Sequence, residues 1–314
     1  MPCIDTDPDP NLHDECISIQ DGPGAIWWMS PDINLNGFSD QAMSGGNNTV
    51  DITVHRKPDT CTFLEGTKNV IVEVWVSPPG LNLSPVGAKN IGTKLMPLSQ
   101  LPANGSRSLS QVGQLINWTP TSTNPGDPDG PGHRCLISRC YPELDGPAQP
   151  DCFHVLGDSH VAQRNIQIVG VPAPRHGLKV PIHTGNNNRE AAQPATLRVA
   201  ADLKPSEKVL EILKPGLRHA KGFRRVSHEA PGHFSLHLPD FPDAKIRDCT
   251  GPDHHHTPSY EADVEFKAGQ VTKFTFTADL SKSKAGDAHL FHLTHSRRSD
   301  KRVIGGLTVV AVVD

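Results

Sequence analysis

Hydrophobic and polar residues alternate along short segments of this 314-residue chain, and clusters of Pro, Gly, Asn and Asp separate the segments. The alternation is clearest over residues 49–54 and 70–76. Alternation with period two places one face of a strand in the core and the other in water, as antiparallel sandwich strands require. The pattern therefore predicts a chain built mainly of short β-strands.

Residues 70–76 also predict which of their two faces is buried. Four valines occupy every second position, and Glu73 and Trp75 lie between them. We expect the valine face to be the core face because it has no charge, whereas Glu73 must reach water.

The predicted strands form two blocks, each of which ends in a strand, a polar loop and a second strand. The first block comprises 49–54, 70–76, 114–118, 134–140 and 160–170. The second comprises 195–203, 209–213, 233–238, 260–266, 271–278, 289–295 and 303–313. Residues 206–213 also suit one or two helical turns, so that alternative stays open.

The two blocks predict an all-β fold of two tandem immunoglobulin-like antiparallel β-sandwiches. We place an irregular N-terminal arm at residues 1–25, the first sandwich at 26–170 and the second at 194–314. Residues 171–193 are rich in Pro, Gly and Asn and are predicted to be a linker with room for a short edge strand.

Four short motifs resemble one family of modules. They are Trp28-Met29-Ser30-Pro31-Asp32-Ile33, Asn47-Asn48-Thr49-Val50, His133-x-Cys135-Leu136 and Val161-x-Gln163-x-Asn165. In this order and spacing, residues 27–170 resemble bacterial immunoglobulin-like modules related to the CARDB type. The resemblance implies a binding or structural module and carries over no catalytic residue. Cys140 and the loop after it depart from the pattern.

Composition and charge narrow the choice of partners. The formal net charge is −4, so no global basic field exists to hold nucleic acid. No apolar stretch is long enough to predict a transmembrane segment, and residues 1–25 show no signal-peptide pattern. The sandwich architecture nevertheless favours an extracellular or cell-surface location.

Histidine is abundant, with 17 residues, and suggests one kind of chemistry. His254, His255 and His256 follow one another in a predicted loop, and His289 begins a predicted strand that also contains His292 and His295. Imidazoles folded together could bind zinc, copper or nickel. However, strand alternation places His292 on the opposite face from the other two. We therefore predict no tightly bound catalytic metal and no cofactor.

Basic residues cluster in two segments of the second block. We consider that they form one basic patch that grips an anionic partner, against the alternative of two solvated loops. The residues are Arg218, Lys221, Arg224, Arg225, Arg297 and Arg298.

The seven cysteines leave at least one unpaired within the chain. For an oxidising environment we prefer a Cys140–Cys152 disulfide, because the bridge would clamp the loop between two strands. Cys135 has apolar neighbours and is predicted to be a buried strand thiol.

These observations favour a non-enzymatic structural or interaction protein, whose partner is another protein or a second copy, in a surface, fibre or injection-type assembly. Two alternatives remain: a metal-dependent enzyme or metal-binding protein using the second-block histidines, and a carbohydrate-binding module. Trp75, Trp118 and Tyr260 are the candidate platforms for a glycan. The apolar run 306–313 is predicted to be an interior strand, since an exposed one would aggregate. Self-association is predicted to use loops and the N-terminal arm.

Overall fold

A computed structural model describes residues 16–57, 64, 66–81, 87–147, 153, 155, 158–172, 177–250 and 257–314. Within this part the chain is all-β, with mostly antiparallel sheets and one α-helix. It divides into two compact units. The first contains the described residues up to Pro78 and from 87 to Arg164, and the second contains residues 79–81 and those from Asn165 onward.

The first unit consists of two main sheets. Its strands are β1 (Ile17–Ser18), β2 (Ile33–Leu35), β3 (Gln41–Ala42), β4 (Asn48–Arg56), β5 (Asn69–Ser77), β6 (Lys89–Pro97), β7 (Gly105–Ser108), β8 (Ile116–Trp118), β9 (Gly132–His133), β10 (Cys135–Pro142) and β11 (Val161–Arg164). Strand β4 is the centre of one sheet and pairs with β1, β2, β7 and β8. The other sheet has the order β11-β10-β5-β6, and β3 pairs with β9.

Apolar side chains from both sheets form the core of the first unit. Val70, Val72, Val74 and Val76 are each 0% exposed and belong to this core. Glu73, between them, is only partly buried. The prediction that the valine face of 70–76 is the core face is therefore confirmed.

The segment predicted as an irregular arm contributes to this core where it is described. Ile17 lies in β1, which pairs with the end of β4, and Ile17 and Ile19 are 0% and 2% exposed. Cys16 is disulfide-bonded. Residues 16–19, which lie within the segment predicted as an irregular arm, thus contribute a short strand and apolar side chains to the first core.

The second unit also has two main sheets. Its strands are β12 (Ile166–Val171), β13 (Gly177–Gly185), β14 (Gln193–Asp202), β15 (Arg225–Val226), β16 (Phe234–His237), β17 (Lys245–Cys249), β18 (Ser259–Phe266), β19 (Val271–Asp279), β20 (Asp287–Arg297) and β21 (Val303–Val313). The larger sheet has the order β12-β21-β20-β14-β18-β17, with β15 paired to β20. The smaller sheet has the order β13-β19-β16.

Aromatic rings pack against one another within the largely aliphatic core between these two sheets. Five phenylalanines that are at most 1% exposed belong to it: Phe234, Phe266, Phe274, Phe276 and Phe291. The ring of Phe291 meets those of Phe234 and Phe276 edge-on, at centroid distances of 5.5 and 5.0 Å. Such geometry is favourable for aromatic pairs beyond the area that they bury.

Two expectations about the middle of the chain are corrected. Residues 160–170 were predicted to be one strand of the first sandwich, but β11 ends at Arg164, and β12 pairs in parallel with β21 in the second unit. The predicted linker 171–193 contains the nine-residue strand β13, fully paired with β19. Alternation identifies a strand but does not identify the sheet that the strand joins.

A helix, α1 (Glu207–Leu217), replaces the strand predicted at 209–213. Ser206 caps it by accepting a hydrogen bond from the Val209 backbone N–H, and Val209, Leu213 and Leu217 recur at helical spacing as its buried face. The open alternative of helical turns is thus the one observed.

The C-terminal apolar run lies inside the larger sheet. Strand β21 pairs with β12 on one side and with β20 on the other, and residues 305–313 are buried throughout. The prediction of an interior strand is confirmed. Among the residues that the structure describes, no helix has the length and apolar character needed to cross a membrane.

Candidate interaction surface

The smaller sheet of the second unit presents one face to the core and the opposite face to solvent. Its central outward positions are occupied by Lys179, Pro181, His183, Ser235, His237, Lys273, Thr275 and Thr277, and the same alternation turns Gly177, Val271 and Asp279 outward at the strand ends. We call the eight central residues the lysine–histidine face. The face arises because β13, β16 and β19 alternate apolar and polar residues, and the apolar set fills the core.

Strand register arranges these side chains in rows across the sheet. Thr277 lies between Lys179 and Ser235, and Thr275 lies between Pro181 and His237. Lys273 is the partner of His183. The Ser235 and Thr277 hydroxyls are 3.0 Å apart and hydrogen-bonded. A row of hydroxyl and imidazole groups therefore separates the two lysines.

The charge of this face is opposite in sign to that of the chain. Lys179 and Lys273 are exposed, and no ion pair involves either of them among the described residues. By register they stand about 14 Å apart across the sheet. One carboxylate, Asp279, lies exposed on the same side of the sheet, two residues beyond Thr277, and accepts a hydrogen bond of 2.9 Å from the Ser281 backbone N–H. Two lysines against this one carboxylate leave a locally positive face on a chain of net charge −4.

Pro181 limits how a partner can approach this sheet. It lies in the middle of β13, an edge strand of this sheet that pairs with β19 along its length and, at His183 on its other side, hydrogen-bonds the backbone of Pro79 and Leu81. Proline has no backbone N–H, so it interrupts the row of donors that an added strand would need. Contact through the side chains of the face is therefore favoured over strand addition at this edge.

The structure separates the histidines that were considered as metal ligands. His289 and His295 both lie on β20, six residues and so about 20 Å apart, which is too far for one ion. His289 is buried and its Nε2 lies 2.8 Å from the Ser283 hydroxyl, and burial lowers its pKa. His254, His255 and His256 lie outside the described residues. Among those described, no group of three His, Cys, Asp or Glu residues could hold a metal ion.

His292 belongs to a line of three polar side chains that sequence reasoning missed. Its Nε2 lies 3.1 Å from Asp202 Oδ2, and its Nδ1 lies 3.0 Å from the Thr308 hydroxyl. The order of hydroxyl, imidazole and carboxylate is that of an activated nucleophile. Thr308 is 0% exposed, however, so its hydroxyl cannot reach a substrate. We interpret this line as a partly buried cross-strand connection between β14, β20 and β21.

The predicted basic patch is not one patch. Arg225 pairs with Asp287 at the start of β20, whereas Arg297 is the last residue of the same strand. An extended strand of this length keeps the two groups about 34 Å apart. Arg225 Nε also binds Asp287 Oδ1 at 2.7 Å, and Arg297 Nη2 binds Asp300 Oδ2 at 2.6 Å. Arg218, Lys221 and Arg224 are exposed on the Arg225 side, and Arg298 lies beside Arg297.

The preferred disulfide is also corrected. Cys140 lies in β10 opposite Val72, is 0% exposed and has a thiol rather than half of a disulfide. Its side chain faces the valine core instead of the loop, which is why it does not clamp that loop. Cys152 lies outside the described residues. Cys135 is a buried thiol, as predicted.

The three aromatic side chains considered as glycan platforms pack against neighbouring residues. Trp118 is 6% exposed, and its indole N–H donates to Asp129 Oδ1 at 2.5 Å. Trp75 packs edge-on against Phe153 at 5.5 Å, and Tyr260 packs against the second core. The lysine–histidine face could have been found from the polar positions of 179–183 and 273–277. The face is not predicted from the sequence because residues 171–193, which contain Lys179, Pro181 and His183, are assigned to a linker.

Comparison with known proteins identifies no family. No family model matches the chain, and no curated protein matches it, so the resemblance to the CARDB type stays a prediction. Among solved structures, collagen adhesin from S. aureus is 7% identical, with a TM-score of 0.24 over 87% of this chain and 93% of that one. The CupB6 tip adhesin from Pseudomonas aeruginosa is 9% identical, with a TM-score of 0.17 over 95% and 97%. Bacteroides uniformis β-glucuronidase is 11% identical, with a TM-score of 0.24 over 85% of this chain and 26% of that one. TM-scores below 0.5 at these identities do not establish a shared function.

Proposed function

We propose that this chain is a non-enzymatic interaction protein that binds a negatively charged macromolecule through the lysine–histidine face of its second unit. The observation that carries the proposal is the pair of exposed lysines, Lys179 and Lys273, on the outward side of one sheet. Long-range attraction from such a face steers an anionic partner even when the net charge of the protein is negative.

The setting that we propose is a surface or fibre assembly in which immunoglobulin-like modules present a binding face. The burial of the Thr308 hydroxyl and the distance between His289 and His295 both weigh against the enzymatic alternatives. The Pro181 edge supports a partner bound on the face, and it weighs against strand-by-strand self-association at β13.

Retention on negatively charged beads at low salt tests the proposed face. At pH 7 a protein of net charge −4 is retained only through a localised positive surface. We expect retention of the full chain, elution by salt, and a loss of retention in Lys179→Glu/Lys273→Glu.

The matched control, Lys208→Glu/Lys282→Glu, changes the net charge equally at two exposed lysines elsewhere in the second unit. A second pair, Arg218→Glu/Lys221→Glu, tests the other basic cluster. Equal losses in all three pairs, or no retention of the unmodified protein, would contradict the proposal.

A further inference from the structure

We infer that the ligand of the lysine–histidine face is an anionic polysaccharide. The inference rests on the proposed function, because it names the partner of the same face. It follows from three properties of the face: its width, the spacing of its lysines, and the hydroxyl groups between them.

The width of the face and the spacing of its lysines suit a long, linear anion. The three strands lie about 4.8 Å apart, so the face is only about 10 Å wide, whereas Lys179 and Lys273 are about 14 Å apart on its diagonal. A chain with charges at regular intervals can meet both ammonium groups at once and lie across the middle row. A small anion could contact only one of the lysines.

The middle of the face is suited to sugar groups. Thr275, Thr277 and Ser235 are half-buried hydroxyl residues, and each hydroxyl has one donor and two acceptor sites. The Ser235–Thr277 bond uses one donor and one acceptor, so acceptor sites and one donor remain for a ligand. Hydroxyl groups that both donate and accept match sugar hydroxyls, which do the same, while the lysines match sulfate or carboxylate groups.

Other polyanions fit this face less well. Duplex DNA is held by many phosphate contacts, and two lysines supply few. Single strands need aromatic rings to stack on, and the outward positions of β13, β16 and β19 contain none. An acidic peptide that adds as a strand meets Pro181 at the β13 edge.

The experiment measures binding of the full chain to three immobilised or titrated probes at low salt: heparin as a sulfated polysaccharide, poly-L-glutamate, and vesicles of anionic lipid. We expect heparin to bind at least about tenfold more tightly than poly-L-glutamate of equal charge. Lys179→Glu/Lys273→Glu should weaken heparin binding by about tenfold or more, corresponding to about 1.4 kcal/mol.

A hydroxyl variant separates sugar recognition from charge alone. Thr275→Val/Thr277→Val keeps β-branched shape, and valine is favourable in strands. It should weaken heparin binding about threefold or more and leave poly-L-glutamate binding unchanged. Thr294→Val, at a half-buried position of β20, is the matched control and should change neither.

The outcomes are distinguishable. Equal binding of all probes, with no effect of the threonine variant, overturns the polysaccharide inference but leaves a charge-dependent binding face. Preference for vesicles or poly-L-glutamate overturns it in favour of that partner. If no probe binds and the unmodified protein is not retained on negatively charged beads, both the inference and the proposed function fail.

Discussion

The two units share one construction, two sheets around an apolar core, but they differ in the groups that they bury. In the first unit Arg164 and Asp40 are buried together, with contacts of 2.6 Å from Nε to Oδ1 and 2.9 Å from Nη2 to Oδ2. Arg164 Nη1 also donates to the Ser30 carbonyl at 3.0 Å. In the second unit the core is apolar and includes five phenylalanines, one of which, Phe266, stacks on the buried imidazole of His295 at a centroid distance of 5.1 Å.

This difference shows two ways to specify a sandwich. Buried ion pairs are directional, so they fix which loop meets which strand, although they add little net stability over an apolar pair. Packed aromatic rings stabilise by area and contact and do not fix the geometry through charge. The two units should therefore respond differently to core substitutions and to pH.

The largest expected effect comes from a charge in either apolar core. Val72→Asp should unfold the first unit, and Val309→Asp should unfold the second, because each places an unpaired carboxylate at a position with 0% exposure. We expect a loss of at least about 3 kcal/mol in the affected unit. Hydrogen exchange of the backbone amides, analysed separately for each unit, measures this loss of stability.

Leu95→Asp is the control for the first unit, since Leu95 is 47% exposed and should accept the charge with little change. An unchanged unfolding transition in Val72→Asp would contradict the assignment of the valine core. Loss of both units in either variant would contradict the prediction that each substitution unfolds one unit.

Breaking the buried Arg164–Asp40 ion pair should lower the unfolding free energy of the first unit by nearly as much. Arg164→Met leaves Asp40 buried without its partner, and we expect the first unit to lose about 3–5 kcal/mol. The double variant Arg164→Met/Asp40→Leu removes both charges and should recover most of that loss. Urea unfolding of the three proteins checks this.

The second unit offers the contrasting case. Phe276→Ala leaves a cavity and should lower the unfolding free energy of the second unit by about 3–5 kcal/mol. Phe276 has only apolar packing to lose, so this loss cannot be recovered by removing a charged partner, as it can for Arg164→Met. If Arg164→Met/Asp40→Leu were no more stable than Arg164→Met, the pair would not be the source of the loss.

The sequence predicted the parts of this fold that depend on local pattern. The valine alternation of 70–76 identified a core face, and the apolar run before Val313 identified an interior strand. Pairing across long distances was not predictable in the same way. The pattern of residues 160–170 predicts one continuous strand and gives no boundary between Arg164 and Ile166. The strands that end and begin at these two residues nevertheless join different sheets.

The candidate face was missed for a related reason. Lys179 and Lys273 are 94 positions apart in the sequence, and only the pairing of β13 with β19 brings them onto one surface. The basic residues that are close in sequence, such as Arg224 and Arg225, attract attention first. In the structure Arg225 forms an ion pair with Asp287.

A moderate effect is expected from acid on the second unit. Burial lowers the pKa of His295 from 6.5 to about 3, and its Nδ1 lies 3.0 Å from the Thr184 hydroxyl. Below pH 6.5 the unfolded chain therefore binds a proton that the folded unit excludes, so stability falls as pH falls toward 3. We expect a loss of about 2 kcal/mol between pH 7 and pH 5 from this group.

His295→Gln removes the titration and should reduce that slope, at some cost in stability at pH 7. Thermal unfolding of the second unit at several pH values measures the slope. An unchanged slope in the variant would assign the acid response to other groups.

The smallest expected effect has the opposite sign and concerns the first unit. Burial, with repulsion from Asp158, raises the pKa of Asp21 from 3.8 to about 7. Between about pH 4 and pH 7 the folded unit retains a proton that the unfolded chain releases, so this contribution to stability is present in acid and is lost as pH rises. Because Asp21 is partly exposed, we expect a loss of only about 1–2 kcal/mol between pH 5 and pH 7.

Asp21→Asn is uncharged at every pH and should remove this loss, making the first unit more stable than the unmodified protein at pH 8. Asp145→Asn, at an exposed position, should leave the pH profile unchanged. If the first unit of Asp21→Asn lost stability between pH 5 and pH 7 as steeply as the unmodified protein, the two units would not differ in the sign of their pH response through these groups.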